Sequence, residues 1–130
     1  MRIVRTSVDH QPAEVRGPTF TGTVHVVPVL PATDGVVINA VTFTSGAHTH
    51  WHSHERGQVL TVLFGAGWVC TRGEAPERLG PGDVVWVPPG EVHWHGAAAD
   101  SLLAHQAVSL GSTQWLDPVD EADYPRDVTP

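Results

Sequence analysis

A chain of 130 residues can build one hydrophobic core but not two, so a single domain is expected. Its 14 acidic against 7 basic residues give a formal charge of −7, which argues against nucleic acid or an anionic membrane surface as the main partner. Its 13 glycines and 11 prolines exclude an architecture of long helices and favour short strands joined by tight turns.

The nine histidines outnumber the seven Lys and Arg, and they are spread from His10 to His105 without being consecutive, which excludes an affinity tag. The lone cysteine, Cys70, rules out an internal disulfide, agrees with a reducing cytosol and reads as a packed small hydrophobe. The N-terminus MRIVRTSVDHQPAEV lacks the apolar core of a secretory signal, and no run reaches transmembrane length. The expectation is a soluble, cytoplasmic protein.

In chain order, residues 1–18 are polar, end at Gly17-Pro18 and read as an N-terminal arm, disordered or paired with a neighbouring subunit's sheet. Thr19 to Leu30 is the first strand, with His25 on a polar face and Pro28 marking an edge or bulge. After the turn Pro31 to Gly35, Val36 to Thr44 is a strand that puts Asn39, Val41 and Phe43 on one face. Asn39 is equally suited to a structural hydrogen bond and to a substrate contact.

The next stretch, Gly46 to Gly65, has the densest set of potential metal donors. His48, His50, His52 and His54 recur at every second position, so in an extended chain all four imidazoles project from one face. A row of neutral nitrogen donors pointing inward suits a divalent first-row transition ion. Glu55-Arg56-Gly57 is a polar turn, and Gln58 to Phe64 reads as the returning arm of a hairpin that brings the Gln58 amide beside His52 and His54.

Trp68 to Arg72, Glu77 to Leu79 and Val84 to Val87 are short strands, and Gly80-Pro-Gly-Asp83 is a sharp turn between the last two. Val92 to Gly96 places His93 and His95 on one face. Ser101 to Leu110 is a further strand, with Leu103, His105, Ala107 and Ser109 sharing a side. The acidic tail from Gly111 is expected to be pinned by Trp115 and Tyr124 to the body or to a partner subunit, with one helical turn at Asp120 to Tyr124. Trp51 and Trp94 adjoin the histidines and so point to the opposite face, for packing. Eight or nine short strands with turns at this spacing imply an all-β sandwich or barrel, here residues 19–112 with a 113–130 tail.

Two segments resemble a known family. Gly46, then after five residues His52, after one more His54, after three Gln58 and after six Gly65, is similar to the first cupin motif, with Gln where Glu is usual. Gly82, Pro88, Gly90 and His93 are similar to the second, with Ala97 where Asn is usual. The resemblance implies a single-domain cupin, an all-β double-stranded β-helix or jelly-roll barrel. It selects His52, His54, Gln58 and His93 as metal ligands and leaves His48 and His50 as rim or outer groups. Glu55, in the turn, is a poor alternative ligand.

Further phrases, among them Trp51-His-Ser-His54, Pro81-Gly-Asp-Val-Val-Trp86 and Pro89-Gly-Glu-Val-His-Trp-His-Gly-Ala-Ala98, resemble the small bacterial cupins that act as manganese-dependent hydroxynitrile lyases. That resemblance implies one divalent metal per subunit, manganese first, with iron, nickel or zinc as alternatives. The implied reaction is reversible addition of HCN to an aldehyde, with a carbonyl or cyanohydrin substrate, and His105 takes the place of the histidine that handles the proton. A Gln ligand leaves the full charge on the metal, sharpening its Lewis acidity, and removes a possible base. Proton transfer then falls to His105, with His95 as its companion. Val41 and Ser109 join Asn39 as candidate substrate contacts. The competing readings are a metal-dependent oxygenase and a non-catalytic ligand-binding cupin. Edge strands and the flanking arms point to a homodimer or homotetramer.

Overall fold

The computed structural model describes residues 1–6, 8 and 11–126. Positions 7, 9, 10 and 127–130, including His10 and the end of the tail, lie outside the described residues. Among the described residues thirteen strands follow one another: β1 Glu14–Arg16, β2 Phe20–Thr21, β3 Val24–Thr33, β4 Val36–Phe43, β5 His48–Thr49, β6 His52–His54, β7 Gln58–Gly65, β8 Gly67–Thr71, β9 Glu77–Leu79, β10 Val84–Val87, β11 His93–Ala97, β12 Leu103–Leu110 and β13 Thr113–Trp115. A 3-10 turn, Glu121–Asp123, lies within the helical turn expected in the tail. Among the described residues no helix is long and apolar enough to cross a membrane.

The strands form two curled antiparallel sheets. One has the order β1-β3-β4-β12-β7-β10, and the other runs β13-β6-β11-β5-β2 with β8 on the far side of β11 and β9 beyond it. This is the jelly-roll barrel implied by the motifs. β3 and β4 form a hairpin turned by Asp34 and Gly35, both at positive φ (51° and 81°), the backbone of a two-residue turn that follows the twist of its strands. The strand of the hairpin therefore runs on to Thr33, where a longer turn was expected, and register shifts after Pro28 and Leu30 accommodate it.

Alternation builds the core. Val24 and Val26 on β3, Val41 and Phe43 on β4, Leu60 and Val62 on β7 and Leu103 on β12 all point between the sheets and are buried. A second cluster of Trp68, Cys70, Trp94, Val119 and Tyr124 covers the outer face of the seven-stranded sheet. Trp94 is buried, and Trp51 packs at its edge with centroids 6.4 Å apart. Cys70 belongs to this cluster, and burial pushes its thiol pKa up, as suits a packed residue. At the N-terminus, β1 pairs with the chain's own β3.

One connection differs from its expectation. β6 and β7 do not pair: β6 lies between β11 and β13, whereas β7 lies between β12 and β10 in the other sheet. The turn Glu55-Arg56-Gly57 therefore carries the chain across the barrel and does not close a hairpin. Gly57, at φ 100°, leaves room for the Trp86 ring and the Val87 carbonyl that a Cβ there would strike.

Candidate metal centre

Two strands of the seven-stranded sheet supply four inward imidazoles. On β6 and on β11 the histidines alternate with Ser53 and Trp94, and His52 lies directly opposite His93 in the register. Their rings are 4.2 Å apart between centroids, with His54 5.1 Å from His52 and His95 5.2 Å from His52. Gln58 enters from the opposite sheet because the turn after His54 crosses the barrel. Its Oε1 lies 3.0 Å from His93 Nε2, while its Nε2 donates to Ser109 Oγ at 3.1 Å.

His48 and His50 do not join this face. His48 stands opposite Gly96 and His52 opposite His93, so four steps along one strand match three along β11. That one-residue slip is a bulge at His50-Trp51, and it turns every side chain before it to the other side of the sheet. His48 accordingly stacks on Tyr124, centroids 3.8 Å apart, on the outer face. The carbonyl of His50 instead accepts a hydrogen bond from His52 Nδ1 at 2.9 Å.

Remote contacts fix which nitrogen of each ring faces inward. His52 Nδ1 donates to the His50 carbonyl and His93 Nδ1 to the Glu91 carbonyl, at 2.9 and 3.0 Å. A carbonyl only accepts, so in both rings the proton sits on Nδ1 and Nε2 offers a lone pair to the interior. His54 Nδ1 meets Thr113 Oγ1 at 3.0 Å, and its Nε2 is buried without a partner. Burial, reinforced by the neighbouring imidazoles, lowers the pKa of His52 well below its ordinary value, and burial with the charge of His93 brings His54 to about 4. Burial also lowers His93. All three rings are neutral at pH 7, the state that binds a metal.

These donors fit a cation. With its proton on Nδ1, His93 turns the Nε2 lone pair towards Gln58, whose Oε1 lies 3.0 Å away, the separation of adjacent ligands at right angles with bonds of about 2.1 Å. The donor atoms of His52, His93 and His95 also lie within 4.8 Å of one another, all buried. Three buried histidines are thus placed to hold a metal ion.

His95 and His105 form a buried pair beside this cluster, with His105 Nε2 3.0 Å from His95 Nδ1. Burial and four neighbouring imidazoles lower the pKa of His95 well below its ordinary value, and burial brings His105 to about 4. His95 Nε2 has no partner and the residue lines the cavity; His105 is fully enclosed behind it. The sequence put His105 first for contact with the reacting group; in the structure His95 lines the cavity and His105 lies behind it.

The cavity holds about 230 Å³. Asn39, Val41 and Ser109, the three expected substrate contacts, all line it. Sequence reasoning missed Phe20, Thr49 and Trp115, which also line it; Trp115 lies against His52 with centroids 4.5 Å apart and against Phe20 at 5.6 Å. β13 pairs with β6, which brings Trp115 opposite His52. Glu55 is exposed and accepts a hydrogen bond from the Ser112 amide.

The comparisons agree with this geometry. The family model described as a cupin domain matches residues 39–105. An (R)-mandelonitrile lyase of Granulicella tundricola is 42% identical over 122 residues, which cover 88% of this chain and 93% of that protein. A crystal structure of a cupin-like protein from Thermotoga maritima is 39% identical with a TM-score of 0.82, over 89% of this chain and 94% of its own. At 21% identity, the polyketide cyclase RemF of Streptomyces resistomycificus shares the fold, with a TM-score of 0.73 over 97% of this chain and 90% of its own. With the motif residues lining the inside of such a barrel, the chain belongs to the cupin family.

Proposed function

We propose that the chain is a metal-dependent lyase of the hydroxynitrile type, which cleaves a cyanohydrin to an aldehyde and HCN and runs the reverse addition. The observation that carries this reading is the buried His95–His105 pair, with His95 lining a largely apolar cavity beside the donors for a Lewis acid. The 42% identity to a mandelonitrile lyase over nearly both whole chains supports it.

His52, His54, Gln58 and His93 hold the ion, manganese before iron, nickel or zinc. His95, whose donor atom also lies within 4.8 Å of those of His52 and His93, is assigned to the proton and not to the ion because its second nitrogen meets His105. The remote nitrogens of His52 and His93 bond backbone carbonyls and that of His54 a hydroxyl, the usual anchors of a ligating imidazole. That of His95 bonds another imidazole. When bound, the ion supplies positive charge that polarises the substrate oxygen.

The chain's own groups do the rest. Phe20, Val41, Phe43 and Trp115 enclose an aryl or alkyl group and exclude water. Asn39 and Ser109 offer hydrogen bonds to the substrate. His95 Nε2, neutral at pH 7, takes the hydroxyl proton as the bond from carbon to cyanide breaks, and returns it to the departing cyanide. His105 fixes the ring and tautomer of His95 through the 3.0 Å contact.

The test is cleavage of mandelonitrile by the manganese-loaded protein without oxygen. Release of benzaldehyde and cyanide in equal amounts is expected. Absence of cyanide with oxygen uptake on carbonyl substrates would replace the lyase with an oxygenase. An intact metal site with no turnover on a broad carbonyl panel would leave a binding protein.

A further inference from the structure

Gln58 and Ser109 stand directly opposite each other on β7 and β12, and both side chains line the cavity. Gln58 Nε2 lies 3.1 Å from Ser109 Oγ, and Gln58 Oε1 lies 3.0 Å from His93 Nε2. An amide nitrogen donates and does not accept, so in this orientation the serine oxygen is the acceptor. A hydroxyl that receives a hydrogen bond keeps its own hydrogen for another partner. Because Ser109 lines the cavity, that hydrogen can be delivered to a molecule bound there.

The amide is not free to turn over once an ion is held. Its nitrogen has no lone pair for a cation, so Oε1 must face the histidines and the N–H must face Ser109. In the reversed amide, Oε1 would take the serine's hydrogen, and the hydroxyl would show the cavity only lone pairs. A carboxylate at position 58 would impose that second state permanently, since it has no hydrogen to give.

We infer that Gln58 has a second task beside holding the ion: it sets the polarity of Ser109, so that the hydroxyl donates to the oxygen of the bound substrate. Ser109 thereby selects a hydrogen-bond acceptor, the carbonyl oxygen of an aldehyde or ketone. The same contact strengthens when a cyanohydrin hydroxyl gives up its proton and negative charge gathers on that oxygen. The inference rests on the metal-and-substrate reading of this cavity and not on which reaction follows.

Isothermal titration of the manganese-loaded protein with acetophenone, a ketone that accepts hydrogen bonds and has none to donate, tests it without turnover. Elemental analysis and circular dichroism establish that each variant keeps the ion and the fold. Ser109→Ala should weaken acetophenone binding about 3–10-fold, the loss of one hydrogen bond, and Ser109→Thr, which keeps the hydroxyl, should bind like the wild type. The same Ser109→Ala change made together with Gln58→Glu should cost nothing relative to Gln58→Glu alone, because the carboxylate has already claimed the serine's hydrogen. Should Gln58→Glu lose the ion or the fold, α-methylstyrene supplies the second measurement: it has CH2 in place of the ketone oxygen, and Ser109→Ala should leave its binding unchanged. A wild type that takes up no acetophenone, a Ser109→Ala protein that binds it undiminished, equal weakening in both backgrounds, or equal weakening of ketone and alkene would overturn the inference. The expected pattern without release of cyanide from mandelonitrile would uphold it while removing the lyase reading, so the two fail separately.

Discussion

His48 and His52 lie four positions apart in one alternating row, and the structure gives them opposite surroundings. His52 meets His54, His93 and His95 on the inner face, with its Nε2 lone pair turned inward. His48 is also buried, at 5% exposure, yet it stacks on Tyr124 with Nδ1 donating to the Gly46 carbonyl on the outer face. Burial lowers the pKa of both rings. Burial and neutrality therefore do not make a metal site; convergence of lone pairs does, and a one-residue bulge between the two decides which histidine has it.

The sharpest way to break that contrast is to remove one histidine from each side. His52→Ala or His93→Ala should abolish both metal retention and cyanohydrin cleavage, read by elemental analysis and a cyanide assay. His48→Ala should keep both and lose about 0.5–1.5 kcal/mol of stability with the Tyr124 stack. Loss of metal in His48→Ala would contradict the division.

Within the inner face, ligands and proton handlers separate next. His95→Ala should lower kcat by about 10²–10⁴ with the metal content unchanged. His105→Ala, acting through His95, should cost about 10–100-fold, again with full metal. An effect of His105→Ala larger than that of His95→Ala would restore His105 as the group that touches substrate.

Acid gives a third comparison. His54 and His105 fall to about 4 in the folded chain from an ordinary 6.5. Between those values the unfolded chain binds more protons, so stability rises with pH across the window and is lost as pH falls from about 6.5 towards about 4. The melting temperature of the metal-free protein should drop over that interval and be flat above it. His105→Ala should flatten the slope more than Tyr124→Phe, which has no imidazole to remove. Tyr124→Phe is the mildest change: it deletes the hydroxyl's hydrogen bond to the Ala97 carbonyl, worth about 1 kcal/mol, and should leave metal and turnover untouched.

Much of the barrel was legible because its punctuation is local. Gly80-Pro-Gly-Asp83 and Pro88-Pro89-Gly90 bound β10, and alternation in Leu103, His105, Ala107 and Ser109 named an inward face that the structure shows. The residues around the site were readable from the two cupin motifs, whose spacing carries the fold of its relatives. Features that depend on partners distant in sequence were not readable. The row from His48 to His54 looks uniform, because a bulge is defined only against β11. Three residues between His54 and Gln58 suit a hairpin as well as a crossing between sheets, and only the pairing of β7 with β12 and β10 decides. Trp115 read as a tail anchor because nothing near it reveals that β13 lies along β6.

The central claim is that the inner-face donors hold one divalent transition ion, and metal titration of the stripped protein tests it most directly. Isothermal titration with manganese, checked by elemental analysis after dialysis, should give one ion per chain in the wild type and in His48→Ala, and none in His93→Ala. Failure of the wild type to retain manganese, iron, nickel or zinc, or undiminished binding in His93→Ala, would contradict the account.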